Sequence, residues 1–163
     1  MIANRLFLLL LAASLASVAT VRQPLVLPVQ DSAKAHKAAA ELSGMYSFLR
    51  EGEFLQLTVE DGKLSGYVSR FGDTDSDKGQ FVDQFLDKTS LAGDHLSFNT
   101  KTVHGVSYDF TGTVATTAGK QPDQEGYHVI KGTLVQHTTD AKGVDKPMQR
   151  DVEFKSFPSD LGK

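Results

Sequence analysis

Asp73, Asp75 and Asp77, in the stretch Asp73-Thr-Asp75-Ser-Asp77-Lys-Gly79, are the residues best spaced to hold an ion. Alternate carboxylates along a loop can converge on one hard cation, and calcium is the candidate cofactor. The stretch departs from the EF-hand pattern, because Lys78 stands where that loop turns on glycine and Gln84 where a bidentate glutamate closes it. A solvated acidic loop between two strands is the competing reading. His36, His95, His104, His128 and His137 occur at neither the strand nor the helix spacing that aims two rings at one metal. The sequence contains no nucleophile elbow, phosphate-cradling glycine loop or His-Glu-x-x-His motif, so the chain is read as non-enzymatic.

Arg50, Glu53 and Arg70 form a second charged group, and they come together only if strands pair in a particular register. From Gly44 onward apolar and polar residues alternate and turn residues recur at short intervals, which predicts antiparallel strands. The expected strands are 45–50, 53–60, 63–71, 81–88, 95–102, 106–115, 127–137 and 148–157. The faces of the fourth are ambiguous, since Phe81, Asp83 and Phe85 alternate with Val82, Gln84 and Leu86. A two-residue turn at Glu51 and Gly52 would pair Arg50 with Glu53, Phe48 with Leu55 and Tyr46 with Leu57. A type I′ turn at Asp61 and Gly62 pairs Glu60 with Lys63, Val59 with Leu64, Leu57 with Gly66 and Leu55 with Val68. Extended by two residues, the same register sets Glu53 against Arg70. For the fifth and sixth strands a three-residue turn, Val103 to Gly105, keeps Phe98 opposite Phe110 and Leu96 opposite Gly112. Gly66, Gly112 and Gly132 fall at mid strand on the apolar face, where glycine marks sharp bending. The expected fold is all-β, an eight-stranded antiparallel up-and-down barrel, with a β-sandwich as the alternative.

The stretch Gly44-Met-Tyr46 to Gly52, then Leu55, Leu57 and Asp61-Gly62-Lys-Leu64-Ser-Gly66, resembles the first three strands of the avidin and streptavidin family. More loosely it is similar to lipocalins, whose first strand carries Gly-x-Trp. The resemblance implies a calycin-type up-and-down barrel with a ligand lid at the mouth spanned by residues 72–80. It does not extend to biotin. Tyr46 stands at the family's Trp position, Phe48 at a ligand-contacting Asn, Val68 at a Tyr, and Glu53 and Arg70 at two Ser positions. The sequence contains no Trp to wall a pocket.

The chain has 163 residues, 40% of them hydrophobic and 23% charged, which fits one globular domain and excludes disorder. With 17 Lys and Arg against 20 Asp and Glu, the net charge of −3 gives no electrostatic ground for a nucleic-acid partner. The absence of cysteine excludes disulfides and thiolate chemistry. Residues 1–19 read as a secretory signal peptide, with Arg5 before the apolar run Leu6 to Leu11 and small Ser17 and Ala19 at the cut. The run is too short to span a bilayer, so a secreted or periplasmic location is expected, with no membrane span in the mature chain. Residues 20–43 read as an extended leader followed by a short helix over Ser32 to Leu42, capped by Asp31 and stopped by Gly44; residues 44–163 form the barrel domain.

Arg50, Glu53 and Arg70 would rim one mouth of the barrel with a surplus positive charge, unless a loop aspartate neutralises it. A small anionic amphiphile could then seat its head on the arginines and its tail past Phe48, Leu55 and Tyr108. The alternative function is a structural or protein-interaction module. Tyr46, Phe48, Phe98, Tyr108, Phe110 and Phe154 all point inward and can fill an eight-stranded barrel.

Overall fold

The computed structural model describes residues 41–73 and 77–158. Its strands are β1 (Gly44–Ser47), β2 (Phe54–Glu60), β3 (Lys63–Phe71), β4 (Phe81–Ala92), β5 (His95–Thr100), β6 (Val106–Thr116), β7 (His128–Thr139) and β8 (Asp145–Lys155). They form one sheet in sequence order, every neighbouring pair antiparallel. The sheet curls into an open half-barrel rather than the closed barrel expected. Its edges meet over a short stretch at one end, where Tyr46 bridges Ser156 and the Phe157 amide donates to the Met45 carbonyl at 2.8 Å. The physical reason lies in β1, whose 4 residues cannot pair along the 11 of β8. The described residues contain no helix. The signal segment and most of the predicted helix lie outside them, while Glu41 and Leu42 form a turn.

Alternation selects the buried face. Leu55, Leu57 and Val59 on β2, Leu64 and Val68 on β3, Leu96 and Phe98 on β5, and Ile130 and Leu134 on β7 are all buried. Rings fill the centre, as the alternative reading of the sequence required. Phe98 stacks on Phe110 at 5.1 Å, Phe110 meets Phe154 at 5.6 Å, Phe154 meets Phe48 at 5.2 Å, and Phe48 sits edge-on to Tyr108 at 5.2 Å.

The Asp61-Gly62 hairpin has the expected register, from Glu60 opposite Lys63 to Leu55 opposite Val68, and both turn residues have positive φ, 50° and 74°. The first hairpin does not. Tyr46 pairs with Leu55 and Gly44 with Leu57, a slip of two residues from the expected pairing. β1 ends at Ser47, and residues 48–53 make a wide turn closed by Phe48 N to Glu53 O at 3.1 Å and Glu53 N to Arg50 O at 3.0 Å. The Glu53 carboxylate holds that turn by accepting from the Arg50 amide at 3.1 Å.

The turn between β5 and β6 also differs. Phe98 does oppose Phe110, but the turn has two residues, His104 and Gly105 at φ 51° and 75°, and Val103 and Val106 exchange both backbone hydrogen bonds. A one-residue bulge between Asn99–Asp109 and Val103–Val106 reconciles the short turn with the register. On β4, Val82 and Gln84 face inward while Phe81 and Phe85 are exposed, which settles its ambiguous face.

Candidate functional site

The predicted rim assembles at the end of the half-barrel where β1 and β3 finish and β2 begins. Arg50 Nε donates to Glu53 Oε1 at 2.8 Å, and its Nη1 donates to Asp73 Oδ1 at 3.1 Å. Glu53 is buried and also accepts from the Phe71 amide at 3.0 Å. Arg70 is 1% exposed and makes no direct bond to Glu53. Its Nε donates to Gln84 Oε1 at 2.6 Å, Nη1 to Phe71 O at 3.0 Å and Nη2 to Val103 O at 3.4 Å, with Asp73 Oδ2 at 3.6 Å. Asp73 therefore balances the surplus charge, making two arginines against two carboxylates. Gln84 donates in turn to the carbonyls of Val106 at 2.7 Å and Lys101 at 3.2 Å, so Arg70 and Gln84 together tie β3 and β4 to the bulged segment between β5 and β6. Sequence reasoning missed Gln84, a lone polar residue at a strand position that fitted either face.

The apolar members of the predicted site, Phe48, Leu55 and Tyr108, are buried in the core. Burial pushes the Tyr108 phenol up to about 12, with nearby Arg70 pulling the other way. Of the candidate calcium ligands, Asp73 faces the two arginines, Asp77 is buried with Oδ2 2.5 Å from His104 Nδ1, and Asp75 lies outside the described residues. Among the described residues no three His, Asp or Glu side chains are grouped to hold a metal.

A different concavity lies at the opposite end, where β1 and β7 begin and β8 has just finished. It is a cleft of about 560 Å³ lined by Met45, Tyr127, Phe157 and Pro158 with the polar residues Glu41 and His128. That size suits a small molecule, for which clefts of about 300–1,000 Å³ are usual. Two of its lining residues are tied together: Ser156 N donates to His128 O at 2.9 Å, and His128 N to the Ser156 hydroxyl at 3.1 Å. The His128 ring lies against Tyr127 at 4.6 Å, and its Nδ1 is buried with no hydrogen-bond partner. No local sequence signal marks this cleft, because its walls come from four separated segments.

Burial lowers the His128 pKa below its ordinary 6.5, partly offset by the Glu41 carboxylate and backbone carbonyl. A depressed histidine pKa means that the unfolded chain takes up the proton first as pH falls. Stability should therefore be steady above roughly pH 7 and decline below about 6.5 until the folded-state pKa is passed. His137, raised first by its hydrogen bond to Asp145, works in the opposite sense. Urea midpoints of the parent and of His128→Leu across that window isolate the His128 contribution. The variant should show a smaller acid loss, and parallel curves would contradict the assignment.

On the outer face of β2, β3 and β4, Phe54 meets Tyr67 and Tyr67 meets Phe85, each at 5.9 Å, and Phe71 stacks on Phe81 at 4.6 Å. Phe81 and Phe85 remain 55% and 60% exposed.

Comparison with protein-family models, curated proteins and solved structures gives no match. The eight-stranded antiparallel meander is consistent with a calycin-like up-and-down fold. Among the described residues no helix is long and apolar enough to cross a membrane.

Proposed function

We propose that this is a secreted or periplasmic, non-catalytic binding protein that holds one small, partly apolar ligand, seated in the cleft between β1, β7 and the end of β8. The observation that carries this reading is the cleft itself, an apolar-walled space of about 560 Å³ beside an interior already occupied by stacked rings. The Arg50 and Arg70 rim supports a ligand less well, because its donors are engaged by Glu53, Asp73, Gln84 and backbone carbonyls. Titration with the uncharged fluorophore N-phenyl-1-naphthylamine tests the reading. Met45→Glu, which puts a charge on the cleft wall, should weaken binding at least about tenfold, a change of about 1.4 kcal/mol. Arg50→Ala should leave it unchanged. The reverse pattern would return the ligand to the rim.

A second reading, a structural or protein-interaction module, is favoured by the exposed rings of Phe81 and Phe85, since aromatic patches on a surface commonly mark interfaces. No probe binding by the parent would leave that reading standing and remove the first.

A further inference from the structure

The outer face at one end of β2, β3 and β4 is aromatic, where the solvent side of an antiparallel sheet is ordinarily polar. Phe71 opposes Phe81 and Tyr67 opposes Phe85, which sets two pairs of rings across β3 and β4, with Ser69 and Asp83 opposed between them. Phe54, opposite Ser69 on β2, meets Tyr67 and extends the frame. The two pairs lie about 13 Å apart along the strands, four residues at about 3.3 Å each. Asp83 is exposed in the middle of this frame and makes no ion pair among the described residues. Arg50, 5.8 Å from the centre of the Phe71 ring, is engaged by Glu53 and Asp73 instead.

We infer that this face is the docking site of the chain's own leader, Arg22 to Pro28, held by its apolar residues against the rings and by an ion pair between Arg22 and Asp83. Whatever covers such a surface must bring apolar groups and a cation. A second copy of the face does not, since it would set Asp83 toward an identical carboxylate. The leader does: Arg22 stands beside Pro24, Leu25, Val26, Leu27 and Pro28. Its prolines disfavour helix, and extended proline-bearing segments dock well on aromatic surfaces. A guanidinium is also favoured on ring faces as well as at a carboxylate. Extended, Arg22 to Pro28 spans about 20 Å, enough to cross both ring pairs. The chain enters the described structure next to this face, because Glu41 and Gln56 line the same cleft and Gln56 is paired with Tyr67. Residues 29–40 reach about 18 Å even as a helix, more than the separation of the ring pairs. The inference concerns the outer face of the sheet and does not depend on what the cleft binds.

The absence of cysteine allows one site-specific label. A nitroxide on Val21→Cys in the full chain should broaden the amide signals of Tyr67, Phe81, Asp83 and Phe85 and spare those of Lys131 and Glu153 on β7 and β8. Arg22→Asp and Asp83→Arg should each lower the ratio of docked to free leader at least about threefold, since a lost ion pair is joined by a new repulsion. Exchanging both charges should restore the broadening. When labelled chain is mixed with unlabelled, nitrogen-15-enriched chain, the enriched amides should stay sharp; broadening there would mean that a second copy supplies the segment and would overturn docking within one chain. No broadening in the labelled parent, or broadening centred on Tyr127 and Phe157, would overturn the leader as the occupant of the ring face. Broadening indifferent to both charge changes would overturn the Arg22–Asp83 pair, and Asp83→Asn makes the same test should a charge reversal fail to fold.

Discussion

Replacing Arg70 with alanine should cost the fold about 3 kcal/mol or more, seen as a lower urea midpoint at unchanged slope. The size follows from what the guanidinium does. It is 1% exposed and its donors reach Gln84, Phe71 O and Val103 O, with Asp73 as counter-ion. Removing it leaves the Gln84 carbonyl oxygen, itself in a fully buried side chain, with no donor, and leaves the Val103 carbonyl with only its backbone bond from Val106. It also opens space beside Tyr108, whose phenol feels the Arg70 charge. Arg70→Lys should recover little, because an ammonium cannot reproduce a planar fork aimed at separate acceptors. The pair Arg70→Ala and Gln84→Leu should be strongly non-additive, since each single change strands the other's partner. A loss below about 1 kcal/mol for Arg70→Ala would mean that these donors are dispensable, and the rim would again be open to an anionic ligand.

A comparable loss, about 3 kcal/mol, is expected for alanine at Gly112 or Gly132, because overpacking against rigid backbone lies at the upper end of such penalties. These glycines face each other across β6 and β7. A Cβ on Gly112 would come 2.6 Å from Phe110 Cζ and 2.8 Å from Gly132 Cα, and would overlap the Lys131 carbonyl oxygen. A Cβ on Gly132 would likewise overlap the Thr111 carbonyl oxygen. The strands approach so closely that neither position has room for a methyl group, which gives the mid-strand glycines a steric reason alongside the bending expected of them. Thermal melts provide the check, with Gly119→Ala as the comparison: it sits in an open turn at φ 81°, where nothing crowds a methyl group and the cost is left-handed backbone strain alone. Equal melting of the two core variants and the parent would contradict the close approach.

Much of the architecture was legible because its causes are local. Alternation of apolar residues assigns a strand and its buried face together, so the eight strands and the rings of Phe98, Phe110 and Phe154 follow from period two. The Asp61-Gly62 register follows from a dipeptide that tolerates two positive φ values. Where two arrangements shared a parity, the same reasoning could not choose. The slip of the first hairpin is two residues, so Tyr46 and Phe48 keep their inward face in either register, and only the Glu53 carboxylate, folded back onto Arg50 and Phe71, favours the wide turn. The β5–β6 hairpin combined a short turn with a bulge, and a bulge leaves no local trace when long-range donors, Arg70 and Gln84, stabilise it.

The sequence by itself thus determined the class of fold, the strand order and the composition of the core. Tertiary structure alone decided which charges neutralise one another and where a cleft opens. Asp73 meets Arg50 across 23 positions, and the cleft joins residues near 41–46, 56, 122–128 and 156–158. Charge balance and concavity are properties of groups brought together by the curl of the whole sheet. No periodicity within one segment encodes them.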